Sequence, residues 1–189
     1  MLKMRKVTII ALGFVAMFIL CTGIASAQEA GNEEDHAPLV ILGCALAIGI
    51  AGVSSAIGLG IAGSSAVAVT AEKPDLFGKL LVLQVLPMTQ AVYGLLTAIL
   101  LMMGIGLLGG QPETVPVLKG VGVIWIGLAV GLTGISAINQ GMVASSSISA
   151  TGRNPDVAAR GIIFTVMPET IAIFGLLVGI LLMTGLGLL

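Results

Sequence analysis

Charge and aromatic rings are scarce in this chain: of 189 residues only 9% are charged and 4% aromatic, with two cysteines and a single histidine. Each scarcity excludes something. With a mean hydropathy of +1.16, so little charge excludes an ordinary water-soluble domain. Eight basic residues against nine acidic ones, with no basic run beyond the first six positions, leave no footprint for nucleic acid. Cys21 and Cys44 both sit inside apolar runs, so they form neither a disulfide framework nor a metal cluster and read as small apolar residues in lipid. The shortage of rings leaves no bulky core. What the chain has instead is long aliphatic runs and 27 glycines, a composition that lets transmembrane helices approach closely.

The chain opens on Lys3, Arg5 and Lys6, then an apolar run from Val7 to about Ile24 that ends in Ala25, Ser26 and Ala27. This is the layout of a cleavable export signal over 1–27. The competing reading is a retained first transmembrane helix of nearly spanning length. Residues 28–37, with Glu29, Glu33, Glu34, Asp35 and His36, are too polar for lipid and read as an acidic outer tail, with His36 a solvated loop residue. Cleavage after Ala27 would leave five basic against nine acidic residues, a net charge of −4.

From Pro38 onward four apolar spans follow, at about 38–70, 77–108, 117–150 and 157–189, interrupted at Glu72–Asp75, Gln111–Thr114 and Arg153–Asp156. They are far too long for barrel strands and show no period-two alternation, so the fold class is an all-α membrane protein. Lys73, Lys79, Arg153 and Arg160 flank the first and third turns, which places those turns in the cytoplasm and the mature termini outside.

Residues 59–108 match residues 140–189 at a fixed offset of 81 without a gap. Thr70, Pro74, Asp75, Pro87, Thr89 and Gly94 recur as Thr151, Pro155, Asp156, Pro168, Thr170 and Gly175. Further upstream Ala47, Ile48 and Gly49 resemble Ala129, Val130 and Gly131 at offset 82, so one residue was gained or lost in the first helix of a copy. The chain is a helical hairpin (38–108) duplicated in parallel as a second (117–189) across an outer linker (109–116). Small residues line the first helix of each copy: Gly49, Gly52, Ala56, Gly60 and Gly63 in one, Gly127, Gly131, Gly134, Gly141 and Ser145 in the other. Because they persist along both helices, they predict a tight ring of many hairpins rather than a single crossing.

Eight of the nine acidic residues fall in the tail or at turns; Glu169 alone lies deep in a span. A charge there costs about 2.5–3.5 kcal/mol on insertion scales unless it is protonated or holds a cation. The first copy carries Met88 at the equivalent position, while Gln90 and Tyr93 correspond to Ile171 and Phe174. The halves are complementary. Gln140, Glu169 and Thr89 each lie 14 or 15 residues from a cytoplasmic turn, a common depth of about 22 Å at 1.5 Å per residue. Leu86, Thr89, Gln90 and Tyr93 share one helix face. Pro87 lacks an N–H and frees a backbone carbonyl, that of Leu83 or that of Leu86. A carbonyl, a hydroxyl, two amide oxygens and a carboxylate can therefore converge, an all-oxygen set suited to a hard alkali cation; a proton would need only Glu169. Tyr93 is cast as a hydrogen-bond donor that holds Glu169 ionised.

On Leu86-Pro87-Met88-Thr89-Gln90 with Tyr93 and Gly94, Gln140-Gly141, the two Pro-Asp turns and Pro168-Glu169-Thr170, the chain resembles the membrane rotor proteolipids (the K subunits) of archaeal and bacterial V/A-type ATP synthases. The resemblance covers 38–189. It implies a ring of identical subunits in which one carboxylate per four helices carries Na+ or H+ past a stator subunit with aqueous half-channels, while torque passes through the cytoplasmic turns to a central stalk. It also implies that Na+ would meet the Leu86 carbonyl and the side chains of Thr89, Gln90, Gln140 and Glu169, beside a tyrosine matching Tyr93. Ile171 departs from a tyrosine in some relatives and adds no polar group. No cofactor is implied, and with no Gly-Lys-Thr phosphate loop in the chain the nucleotide chemistry falls to partner subunits. The reading from another class is a small ion-coupled transporter or channel of four helices.

Overall fold

The computed structural model describes residues 36–110 and 114–189; the expected export signal and most of the acidic tail lie outside them. The chain runs α1 (Ala37–Glu72), α2 (Phe77–Val85), α3 (Thr89–Gly104), α4 (Val117–Thr133), α5 (Ser136–Arg153), α6 (Ala158–Val166) and α7 (Glu169–Gly185). Short 3-10 turns at Pro74–Leu76, Leu86–Met88 and Pro155–Val157 join some of them. These pieces combine into four spans apolar and long enough to cross a membrane: Ala37–Glu72, Pro74–Gly104, Val117–Arg153 and Pro155–Gly185. The longest has 37 residues, about 55 Å as a helix against a hydrocarbon core of about 30 Å, so helix ends stand clear of the lipid.

The first and third spans form the central seam, with α1 packed along α4 and α5, while the second and fourth spans lie against its outer side. Glycine sets the spacing. A Cβ on Gly141 would collide with the Gly58 carbonyl, and one on Gly58 with the Ala137 carbonyl and the Pro87 ring, so the first and third spans touch backbone to backbone and the second meets them through the Pro87 ring. Further out, a Cβ on Gly127 would collide with the Gly43 carbonyl. The small residues predicted to act together thus divide: these seal the seam, whereas Gly49 and Gly60 have nothing within 4 Å of a built Cβ and leave an open stripe on the other side of α1.

Both hairpins end earlier than the apolar runs suggest. The fourth span stops at Gly185 because Gly187, at φ 63°, turns the chain. The Leu188 N–H then returns to the Met183 carbonyl at 2.9 Å and the Gly187 N–H to Thr184 at 3.1 Å, a Schellman close with Leu188 buried. Gly106, at φ 69°, turns the chain past the second span, its N–H returning to the Met103 carbonyl at 3.0 Å. Inside the third span, Ile135 N–H bonds Leu132 and Ala137 N–H bonds Gly134, a 3-10 break between α4 and α5. It falls where the repeat offset changes from 82 to 81. A few 3-10 residues rise about 2.0 Å each instead of 1.5 Å, which restores roughly the length lost with one residue. His36 is half-buried, not fully solvated, and its N–H bonds Val115 at 3.1 Å, tying the starts of both hairpins together.

Candidate functional site

Pro87 and Pro168 give the second and fourth spans the same interruption. Lacking an N–H, Pro87 closes α2 at Val85 and forces the tight turn Leu86–Met88. The Leu86 carbonyl then accepts both the N–H and the hydroxyl of Thr89, the latter at 3.0 Å. Of the two carbonyls expected to be freed, this one faces a site side chain. In the second copy the Thr170 hydroxyl bonds Met167 in the same manner at 2.8 Å, and α7 begins at Glu169. A carboxylate in a helix's first turn faces the positive end of its peptide dipoles.

The spans bring the predicted residues into one hydrogen-bonded chain. Thr89 Oγ1 lies 3.2 Å from Gln90 Oε1. The Gln90 amide donates to Gln140 Oε1 at 2.6 Å, and the Gln140 amide donates to Glu169 Oε2 at 3.2 Å. From the other side Tyr93 donates its hydroxyl to Glu169 Oε1 at 2.7 Å. Gln90 and Gln140 are fully buried and Glu169 is 8% exposed. All six predicted positions, Leu86, Thr89, Gln90, Tyr93, Gln140 and Glu169, thus belong to one cluster on three spans of a single chain.

Both carboxylate oxygens of Glu169 accept hydrogen bonds, one from Tyr93 and one from Gln140. No cationic side chain stands beside it among the described residues. Lys73 reaches the Gly152 carbonyl, Lys79 that of Pro155 and Lys119 that of Gly187, all at helix ends. A buried carboxylate so placed is stable only when it is protonated or paired with a cation. The Leu86 carbonyl, the Thr89 hydroxyl and the Gln90 amide oxygen, spaced 3.0 and 3.2 Å apart, are hard oxygen donors at the other end of the same hydrogen-bonded chain.

One contributor escaped sequence reading. Ser55 of α1 accepts the Ala91 N–H at 3.0 Å and is buried. It takes up a donor next to Gln90 where the Leu86–Met88 turn disturbs the helical ladder, and so pins the site's helix to the seam. Ser55 has the small size of its neighbours, so only the helix pairing identifies it.

Four membrane-spanning helices in two parallel hairpins, with one buried carboxylate held between hydroxyl and amide groups, define a multi-pass membrane protein with a polar site inside its helix bundle. The sequence pattern of the ATP synthase C subunit matches twice, at residues 42–101 and 124–182, once per hairpin. The chain is 48% identical over 146 residues to A-type ATP synthase subunit K of Methanocaldococcus jannaschii, spanning 77% of this chain and 63% of that protein. It is 37% identical over 143 residues to V-type sodium ATPase subunit K of Enterococcus hirae, covering 75% and 88% respectively. Over 159 residues, 83% of this chain and 99% of the relative, it is 23% identical to the 16 kDa proteolipid of the V-type proton ATPase of Bos taurus. The chain belongs to the ATP synthase C-subunit family, as a V/A-type rotor proteolipid. It is a non-catalytic multi-pass membrane protein, and the small transporter that four helices alone would allow is set aside by this membership.

Proposed function

We propose that the chain is the ion-carrying unit of a rotor ring and that it carries one Na+ at Glu169. The observation that carries this reading is the double acceptance by Glu169, from Tyr93 and from Gln140, in a buried site with no cationic side chain among the described residues. With Na+ bound both oxygens can accept as they do here, whereas a proton on Glu169 would make one of them a donor, which the Tyr93 hydroxyl could accept only by turning its own hydrogen away. Support for Na+ also comes from the Enterococcus hirae relative, named as part of a sodium ATPase.

In this reading Na+ meets the Leu86 carbonyl, Thr89, Gln90, Gln140 and Glu169, while Tyr93 fixes the carboxylate. The loaded site is neutral overall and crosses lipid as the ring turns, since a bare carboxylate would be costly there. At a stator subunit the site opens to an aqueous half-channel, and an arginine of that subunit is expected, by resemblance to the family, to displace the ion. The cytoplasmic turns around Lys73–Lys79 and Arg153–Arg160 would carry torque to a central stalk, with both mature termini outside.

The duplication also supports a single site per chain. A ring repeats the relation between hairpin 1 and hairpin 2 between hairpin 2 and the next copy. Offset 81 puts Leu59, Met88, Ile171 and Phe174 at that second junction, all apolar. The open stripe of Gly49 and Gly60 on α1 and the exposed ridge of Trp125, Leu132 and Met142 on the third span are complementary in size, which suits head-to-tail closure.

Carbodiimide labelling of Glu169 tests the ion. At constant pH, millimolar Na+ should protect Glu169 from modification; labelling that no Na+ concentration slows would transfer the site to H+.

A further inference from the structure

We propose that neighbouring copies lock together through Phe164 of one copy, seated in a groove between the first and second spans of the next. The proposal rests on the ring reading above and adds the contact that sets the fit between copies. The groove has a volume of about 400 Å3 and is lined by Gly63, Val67, Phe77, Leu81 and Gln84. Val67, Phe77 and Leu81 are exposed large apolar residues within it. Gly63 keeps it open, because a Cβ there would meet only the Gln84 side chain, at 3.3 Å.

The repeat states what fills such a groove. At offset 81 Gly63, Val67 and Leu81 become Ala144, Ile148 and Ile162; in hairpin 2 the first two are fully buried, while Ile162 stands at the rim of an open pocket between the second and fourth spans. Leu83 of the second span is fully buried in a cluster with Ala144 and Ile148, against which Ile162 also packs. Hairpin 1 therefore supplies the knob for hairpin 2. The equivalent of Leu83 in hairpin 2 is Phe164, nine residues beyond Pro155 as Leu83 is beyond Pro74. It is 59% exposed where Leu83 is 0% exposed. The knob is present, and its groove lies on the next copy.

The substitutions between repeats make room on the first span: where the knob grows from Leu83 to Phe164, the residues facing it there shrink from Ala144 and Ile148 to Gly63 and Val67. On the second span Phe77 replaces Ala158 and supplies an aromatic wall. A buried phenylalanine removes on the order of 150–250 Å2 from lipid or solvent. The knob has one direction: hairpin 2 of each copy enters hairpin 1 of the next, a heterologous contact that generates rings.

The test uses the whole chain, purified in mild detergent, with native mass analysis and cross-linking of Val67→Cys/Phe164→Cys by a short bismaleimide. The pair should yield a ladder from dimer to full ring on a denaturing gel, and each single variant only monomer. Gly63→Leu should fill the groove and lower the temperature at which rings dissociate, as should Phe164→Ala, with Phe164→Leu intermediate. Intact rings that give no ladder, or that dissociate at the unmodified temperature when Gly63→Leu or Phe164→Ala is present, would overturn the contact. A lipid chain in the groove would give that second result, with bound phospholipid lost in Gly63→Leu. If the unmodified chain gives no ring by native mass, the ring reading itself fails, a result separate from failure of the contact.

Discussion

Tyr93 and Glu169 stand 76 positions apart in sequence, one in each hairpin, and share a 2.7 Å hydrogen bond. The corresponding residues of the opposite copies, Phe174 and Met88, can form no such bond. Duplication followed by divergence has split the polar set between the copies, Tyr93 in one and Glu169 in the other. The site therefore belongs to the junction between hairpins and to neither hairpin alone.

Tyr93→Phe keeps the ring and removes only the donor to Glu169 Oε1. A hydrogen bond to a charged group contributes about 1.5–3 kcal/mol, so Na+ affinity should fall by roughly 10- to 150-fold. Equilibrium binding to purified protein measures this directly, and the helical content should be unchanged.

Gln140→Leu deprives Glu169 Oε2 of a donor and the Gln90 amide of its acceptor. Leaving a buried polar group unpaired costs about 1–3 kcal/mol. Na+ protection of Glu169 against carbodiimide should accordingly require a higher Na+ concentration, by about 5- to 150-fold.

Met88→Glu places a carboxylate at the apolar junction without the partners that surround Glu169. It should not add a second Na+ per chain. Binding stoichiometry should stay as in the unmodified protein, and the yield of assembled protein should drop because the added charge is uncompensated in lipid.

Gly58→Leu would drive a side chain into the Ala137 carbonyl and the Pro87 ring. Overpacking of this kind costs about 1–3 kcal/mol. Thermal denaturation in detergent should show a lowered midpoint, and Na+ binding should weaken too, since Pro87 sets the turn that presents Leu86 and Thr89. The same substitution at Gly49, which has open space, should leave the fold of the isolated chain unchanged.

The four spans and the repeat were legible because hydropathy runs and a gapless offset report directly on chain organisation. The convergence of Gln90, Gln140, Tyr93 and Glu169 was legible for a different reason: Glu169 is the one acid deep in a span, and the large polar side chains at its depth are few. Helix ends were less so. Gly106 and Gly187 terminate helices by positive φ, yet in the sequence they look like more small residues in an apolar run. The change of offset marked an irregularity in one copy without placing it; hydrogen bonding assigns the 3-10 break to Gly134 and Ile135. Nor does composition separate Gly58, sealed against two other spans, from Gly60 two residues on, with nothing near it. Only the direction in which each faces distinguishes them.

Equilibrium binding of radioactive Na+ to the purified assembly, with Glu169→Gln beside it, tests the central claim most directly. The account predicts saturable binding at one Na+ per chain, abolished in Glu169→Gln. Absence of saturable Na+ binding by the intact assembly, or binding that survives Glu169→Gln, would contradict it.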